Sequence, residues 1–91
     1  MQEAPRYVSV VEAIVRVLKD MGGEGEVDTV LRVLWRRYVK GGNGERVVMR
    51  LYRSPAGKLW SPDAEEALKI LVAAGVVQLR DGKLVLRKDV N

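Results

Sequence analysis

The chain contains no cysteine and no histidine, and those two absences remove most site chemistry before any motif is sought. Without thiols there is no disulfide and no thiolate metal site. Without imidazole the commonest general base and the commonest zinc ligand are missing. An enzyme would be left with paired carboxylates, a lysine or a metal held by oxygen atoms, and the twelve acidic residues are scattered or sit beside helix starts. The expectation is a protein that is not an enzyme and that carries neither a metal nor another cofactor. Gly41-Gly-Asn-Gly44 is followed by no Gly-Lys-Ser/Thr, so a nucleotide phosphate cradle is not expected either.

Long hydrophobic runs are also missing. A charged residue interrupts every apolar stretch well short of the ~18–20 residues that a membrane span needs. The start, Met1 to Pro5, lacks the basic-then-apolar order of a secretory signal. A cytoplasmic protein that does not enter membranes is therefore expected. Phenylalanine is absent and aromatics make up only 5% of the chain, so Trp35, Tyr52 and Trp60 are expected in the core or at its edge. Asn and Gln are few while Arg and Val are abundant, a thermophile-like balance.

What is present is 91 residues, enough for one small core, with 16 basic residues against 12 acidic ones. Residues 1–8 show no periodicity and contain Pro5, and read as a flexible arm. The domain is expected over 9–88, with 89–91 as a tail. Val10, Val11, Ile14, Val15 and Leu18 repeat at helical spacing, Ser9 and Glu12 form a capping box, and Gly22-Gly23 ends the segment, which predicts a helix over 10–20. A second helix is predicted over 28–40, with Asp28 as its N-cap. Val27, Val30, Leu31, Leu34 and Tyr38 share one side of it, and Arg32, Arg36 and Lys40 the opposite stripe. No run of acids at i±4 accompanies that stripe. Residues 43–53 fit a helix or a strand; β-branched content and short length favour a strand over 46–52, and Ser54-Pro55-Ala56-Gly57 reads as a turn. Ser61-Pro62-Asp63-Ala64-Glu65 is a strong helix start, and the helix is expected over 62–74 with Gly75 beyond its end. Asp81-Gly82 centres a two-residue hairpin pairing Arg80 with Lys83, Leu79 with Leu84, Gln78 with Val85 and Val77 with Leu86. That register collects Val77, Leu79, Leu84 and Leu86 on one face.

The run from Leu68 through Ala74-Gly75-Val76-Val77 to Leu86 resembles the end of the winged-helix branch of the helix-turn-helix family: a leucine-bearing helix, a Gly, two apolar residues and a wing. The resemblance spans 9–88, with its distinctive part at 61–88, and implies a mainly α domain with a small β-hairpin wing. It further implies that 62–74 is a recognition helix in the major groove, with Lys69 its one cation, and that Arg80 to Lys83 is the wing tip. Segment 61–75 departs from that pattern, because Asp63, Glu65 and Glu66 oppose Lys69 and acids repel phosphates.

Positive charge is concentrated elsewhere. Residues 32–58 hold Arg32, Arg36, Arg37, Lys40, Arg46, Arg50, Arg53 and Lys58 against Glu45, a net of +7, and Arg80, Lys83, Arg87 and Lys88 form a smaller cluster. Two functions stay open. One is a transcription or genome-maintenance factor that binds duplex DNA through the Arg-rich segment and the wing. The other is a module that docks a partner protein or a second copy of itself without touching nucleic acid. No small-molecule substrate is implied, and DNA and RNA are not distinguished.

Overall fold

The computed structural model describes residues 6–41 and 44–87. Residues 1–5, Gly42, Asn43 and 88–91, which include Lys88 and the expected C-terminal tail, lie outside the described residues. Helix α1 covers Val10–Asp20, and the Ser9 hydroxyl accepts the Glu12 N–H at 3.0 Å, one half of the expected capping box; the Glu12 carboxylate binds Arg16 rather than the Ser9 N–H. Ala13, Ile14, Val17 and Leu18 are buried along one side. Burying each of the three larger ones is worth about 1.5–3 kcal/mol.

Strand β2, Glu24–Glu26, leads into helix α2, Val27–Leu34, and the same helix continues as a π-helical turn, Trp35–Val39. In that turn the Lys40 N–H reaches back five residues to the Trp35 carbonyl at 2.9 Å. The helix expected over 28–40 therefore exists, but its last turn is wider than α. It stops at Gly41, where a Cβ would come within 2.1 Å of the Arg37 carbonyl oxygen. Its N-cap is Glu26 rather than Asp28, because the Asp28 carboxylate is turned outward to Arg32 and to the Leu59 N–H. Val30, Leu31, Leu34 and Tyr38 are buried, as their spacing predicts.

Residues 46–52 correct the strand reading. Glu45–Arg46 (β3) and Tyr52–Arg53 (β4) are short pairs, and 47–51 joins no ladder. Side chains there still alternate, with Val47 and Met49 buried and Val48 and Arg50 exposed. The backbone takes other partners: the Val47 N–H donates to the Tyr38 carbonyl at 3.2 Å and the Arg50 N–H to Asp63 Oδ2 at 2.7 Å. It is a strap across the core, anchored to two helices. The arm is corrected in the same region. Arg6–Tyr7 (β1) pairs in parallel with β3, and Val8 is buried with its N–H on the Arg46 carbonyl, so the chain is docked from Arg6 onward.

The turn at Ser54–Gly57 closes β4 onto β5, Leu59–Trp60, in antiparallel register. Helix α3 runs over Pro62–Ala73 with Ser61 Oγ accepting the Ala64 N–H at 3.1 Å and Pro62 at its first position. Strands β6, Val77–Arg80, and β7, Lys83–Leu86, pair in the register read from the sequence. Asp81 (φ 51°) and Gly82 (φ 78°) hold the left-handed conformations that a type I′ turn needs. Strand β2 adds to the far side of β7, giving the order β2-β7-β6. The result is a compact α+β domain whose core lies between the three helices and one face of this sheet. Leu79 departs from expectation: Val77 and Leu84 on its face are buried, while Leu79 is 63% exposed near the hairpin tip.

Candidate nucleic-acid interface

The basic residues do not act as one patch. Three of the eight in segment 32–58 bridge to acids remote in sequence or one turn away. Arg32 Nε meets Asp28 at 2.6 Å, the Arg37 guanidinium bonds to Asp20, and Arg50 forks onto Asp63 through Nε and Nη2 at 3.2 and 3.0 Å. A fourth, Arg46, donates to the Val39 carbonyl at 3.0 Å and so closes the end of the π-turn. No run of acids accompanies the stripe on α2, but the single Asp28, four residues before Arg32, is enough to pair with that one arginine. Glu45, the one acid inside the segment, is taken by Arg16, which also binds Glu12. These bonds tie α1 to β3, the π-turn to α1, and the strap to α3.

The ion pairs shift the ionisation of their members. Arg50 holds the Asp63 carboxyl below its ordinary value, helped by the Arg50 N–H, and Arg32 does the same for Asp28, helped by the Leu59 N–H. The Arg16 guanidinium is pushed up, chiefly by its bond to Glu45 and then by Tyr38.

Four cations converge instead on a groove of about 340 Å³ between the back of α2 and its π-turn on one side and β4–β5 on the other. Arg32, Arg36, Lys40 and Arg53 line it over a floor of Trp35, Leu51 and Leu59, and no acid lines it. Arg36, Lys40 and Arg53 have no ion-pair partner among the described residues. Helical spacing puts Arg32, Arg36 and Lys40 on one stripe, and pairing with Leu59 puts Arg53 beside them. Guanidinium groups with free donors suit bidentate contact with phosphate oxygens.

The other expected site residues lie elsewhere. Lys58 borders a separate groove with Trp60 and the hairpin tip, Lys69 lies beside an apolar trough on α3, and Arg80 and Lys83 face each other across the hairpin end. Arg80 donates to Gln78 Oε1 at 2.9 Å. Arg87 sits at the hairpin base, where its guanidinium would stand 3.1 Å from a Cβ at Gly75. None of these joins the four-cation groove.

The aromatics also differ from expectation. Trp35 is partly buried, but Tyr52 and Trp60 are 46% and 44% exposed and stack on each other across β4–β5, ring centres 4.9 Å apart. Pairing in an isolated two-stranded ribbon explains their place, since the stack covers each ring with the other. Trp35, Leu51 and Leu59 as the groove floor were not read from the sequence. The Arg stripe opposite the apolar side of α2 was the legible signal for its wall.

Compared with profiles of known protein families, with curated proteins and with solved structures, the chain matches none.

Proposed function

We propose that this chain is a small winged-helix module that binds duplex DNA through the four-cation groove, with modest sequence preference and with a role in transcription or genome maintenance. One observation carries the reading: Arg32, Arg36, Lys40 and Arg53 meet around one groove that no carboxylate lines. The three-helix order closing on a hairpin supports the winged-helix part, and β2 extends that hairpin into a three-stranded sheet. Helix α3 contributes little to affinity in this reading, because Glu65 and Glu66 are exposed on it and would meet phosphate.

The contacts are of the positioning kind: cations on phosphates fix orientation and carry no base information by themselves. Fluorescence polarisation with labelled duplex DNA, single-stranded DNA and duplex RNA at two salt concentrations tests the reading. Tightest binding to duplex DNA, falling steeply with salt, is expected. No affinity for any of the three at low salt would overturn it and favour a protein-interaction module.

A further inference from the structure

Leu59 is shared by the basic groove and by a second groove of different character. This one, about 550 Å³, lies between the start of α2, β5, α3 and the hairpin tip. Past Val27, Glu65, Leu68 and Leu79, which line both, it runs into a trough of about 490 Å³ between α3 and the hairpin. Its floor and walls are apolar, and the side chains exposed along it are large: Leu79 at 63%, Val72 at 47% and Trp60 at 44%. Single exposed apolar residues are ordinary on a protein surface, but three converging on one groove are a contiguous patch of the kind that marks an interaction site.

Charge on its rim has the sign opposite to that of the basic groove. Glu26, Asp28, Glu65 and Asp81 border the first part against Lys58, and Lys69 joins Glu65 along the second. Asp28 is held by Arg32, whereas Glu26, Glu65 and Asp81 have no ion-pair partner among the described residues. Against Lys58 and Lys69 these three free carboxylates leave a net of one negative charge, whereas the charged residues lining the basic groove are all cations. A segment with apolar side chains on one face and Lys or Arg on its flanks gains on both counts: burial against Leu68, Val72 and Leu79, and charge pairing along the rim.

We propose that this groove docks a basic amphipathic helix of a partner protein. Leu68 and Val72, one turn apart on α3, form a ridge against which a second helix packs, with Leu79 closing the other side. Trp60, stacked on Tyr52 through one ring face, lines the groove at 44% exposure and is placed to meet a Lys or Arg of the incoming helix. The acidity of α3, which counts against its entering a DNA groove, is then the recognition feature of a separate site. This proposal does not depend on the nucleic-acid reading.

The test uses the full chain and a fluorescein-labelled peptide of about four helical turns, with Leu at i, i+3, i+4 and i+7 and Lys and Arg elsewhere. Two control peptides carry Glu in place of the basic residues, or the same composition with the leucines dispersed. The basic amphipathic peptide is expected to bind, and both controls to bind at least roughly tenfold more weakly. Leu79 is exposed, so Leu79→Ser keeps the fold, checked by its unfolding midpoint, and it removes apolar surface without adding a charge that would itself attract a basic peptide. It is expected to weaken the peptide by about tenfold or more while leaving duplex DNA affinity unchanged. Equal binding of the three peptides, or equal binding to Leu79→Ser, would overturn the proposal, as would no binding at all. A dimer of the chain alone, weakened by Leu79→Ser in sedimentation, would overturn it in favour of a second copy as the occupant.

Discussion

Replacing Arg36, Lys40 and Arg53 together with Gln separates a phosphate site from a merely solvated surface. All three are exposed, line the same groove and lack an ion-pair partner among the described residues, so the substitutions should leave the unfolding midpoint close to wild type. Each phosphate neutralised on B-DNA adds about 0.9 to the slope of log affinity against log salt, so losing three contacts flattens the line by up to about 2.7. Between roughly 50 and 200 mM salt, a slope difference of that size is about a 40-fold difference in how far affinity falls. Polarisation titrations of one labelled duplex at four or five salt concentrations read it directly. Arg37 and Arg50 serve as the comparison, since Asp20 and Asp63 already occupy their guanidinium groups. Their replacement by Gln should lower the unfolding midpoint and flatten the line less than the groove variant does. A triple variant with the wild-type slope, or a larger effect from Arg37 and Arg50 than from the groove residues, would refute the assignment.

Two further outcomes follow from the packing and the ion pairs. Asp81-Gly82→Ala-Ala forces two Cβ-bearing residues other than Asp into left-handed conformations and should lower stability by about 1 kcal/mol or more, read from denaturant midpoints; unchanged midpoints would count against the turn. Asp28 and Asp63 have their carboxyls held below the ordinary 3.8, so their contribution to stability is complete above that value and is lost as pH falls through the depressed ones. Asp28→Asn with Asp63→Asn should therefore flatten the decline of the unfolding midpoint between roughly pH 5 and pH 2, and parallel curves for variant and wild type would rule this out.

The elements that could be read in the sequence are those whose signals are local. The Ser9 and Ser61 hydroxyls each accept the helix-end N–H three residues on, and Pro62 brings no N–H that would need a partner. Asp81-Gly82 sets a hairpin register by backbone conformation alone, so α1, α3 and the pairing of β6 with β7 followed directly. The strap at 47–51 was not legible, because an extended segment takes whatever hydrogen-bond partners the fold brings to it. Here those are the Tyr38 carbonyl and the Asp63 side chain rather than another strand. Tyr7 and Val8 likewise look like part of a loose arm until Arg46 is placed beside them. The same reason divides the candidate site. Composition and helical spacing identified a basic segment and the stripe Arg32, Arg36, Lys40, but the total of +7 said nothing of which charges are free. Asp20, Asp63 and Glu45 reach their arginines from 17, 13 and 29 residues away. Asp28, four residues before Arg32, was within reach of a local rule, and Asp20 and Asp63 were not. Hydrophobic alternation placed Leu79 on the inner face of its hairpin, yet burial depends on what lies opposite, and near the hairpin tip it stays open to solvent. Local chemistry determined where this chain bends and coils; the charges left unpaired and the apolar surface left uncovered were decided by contacts that exist only once distant segments meet.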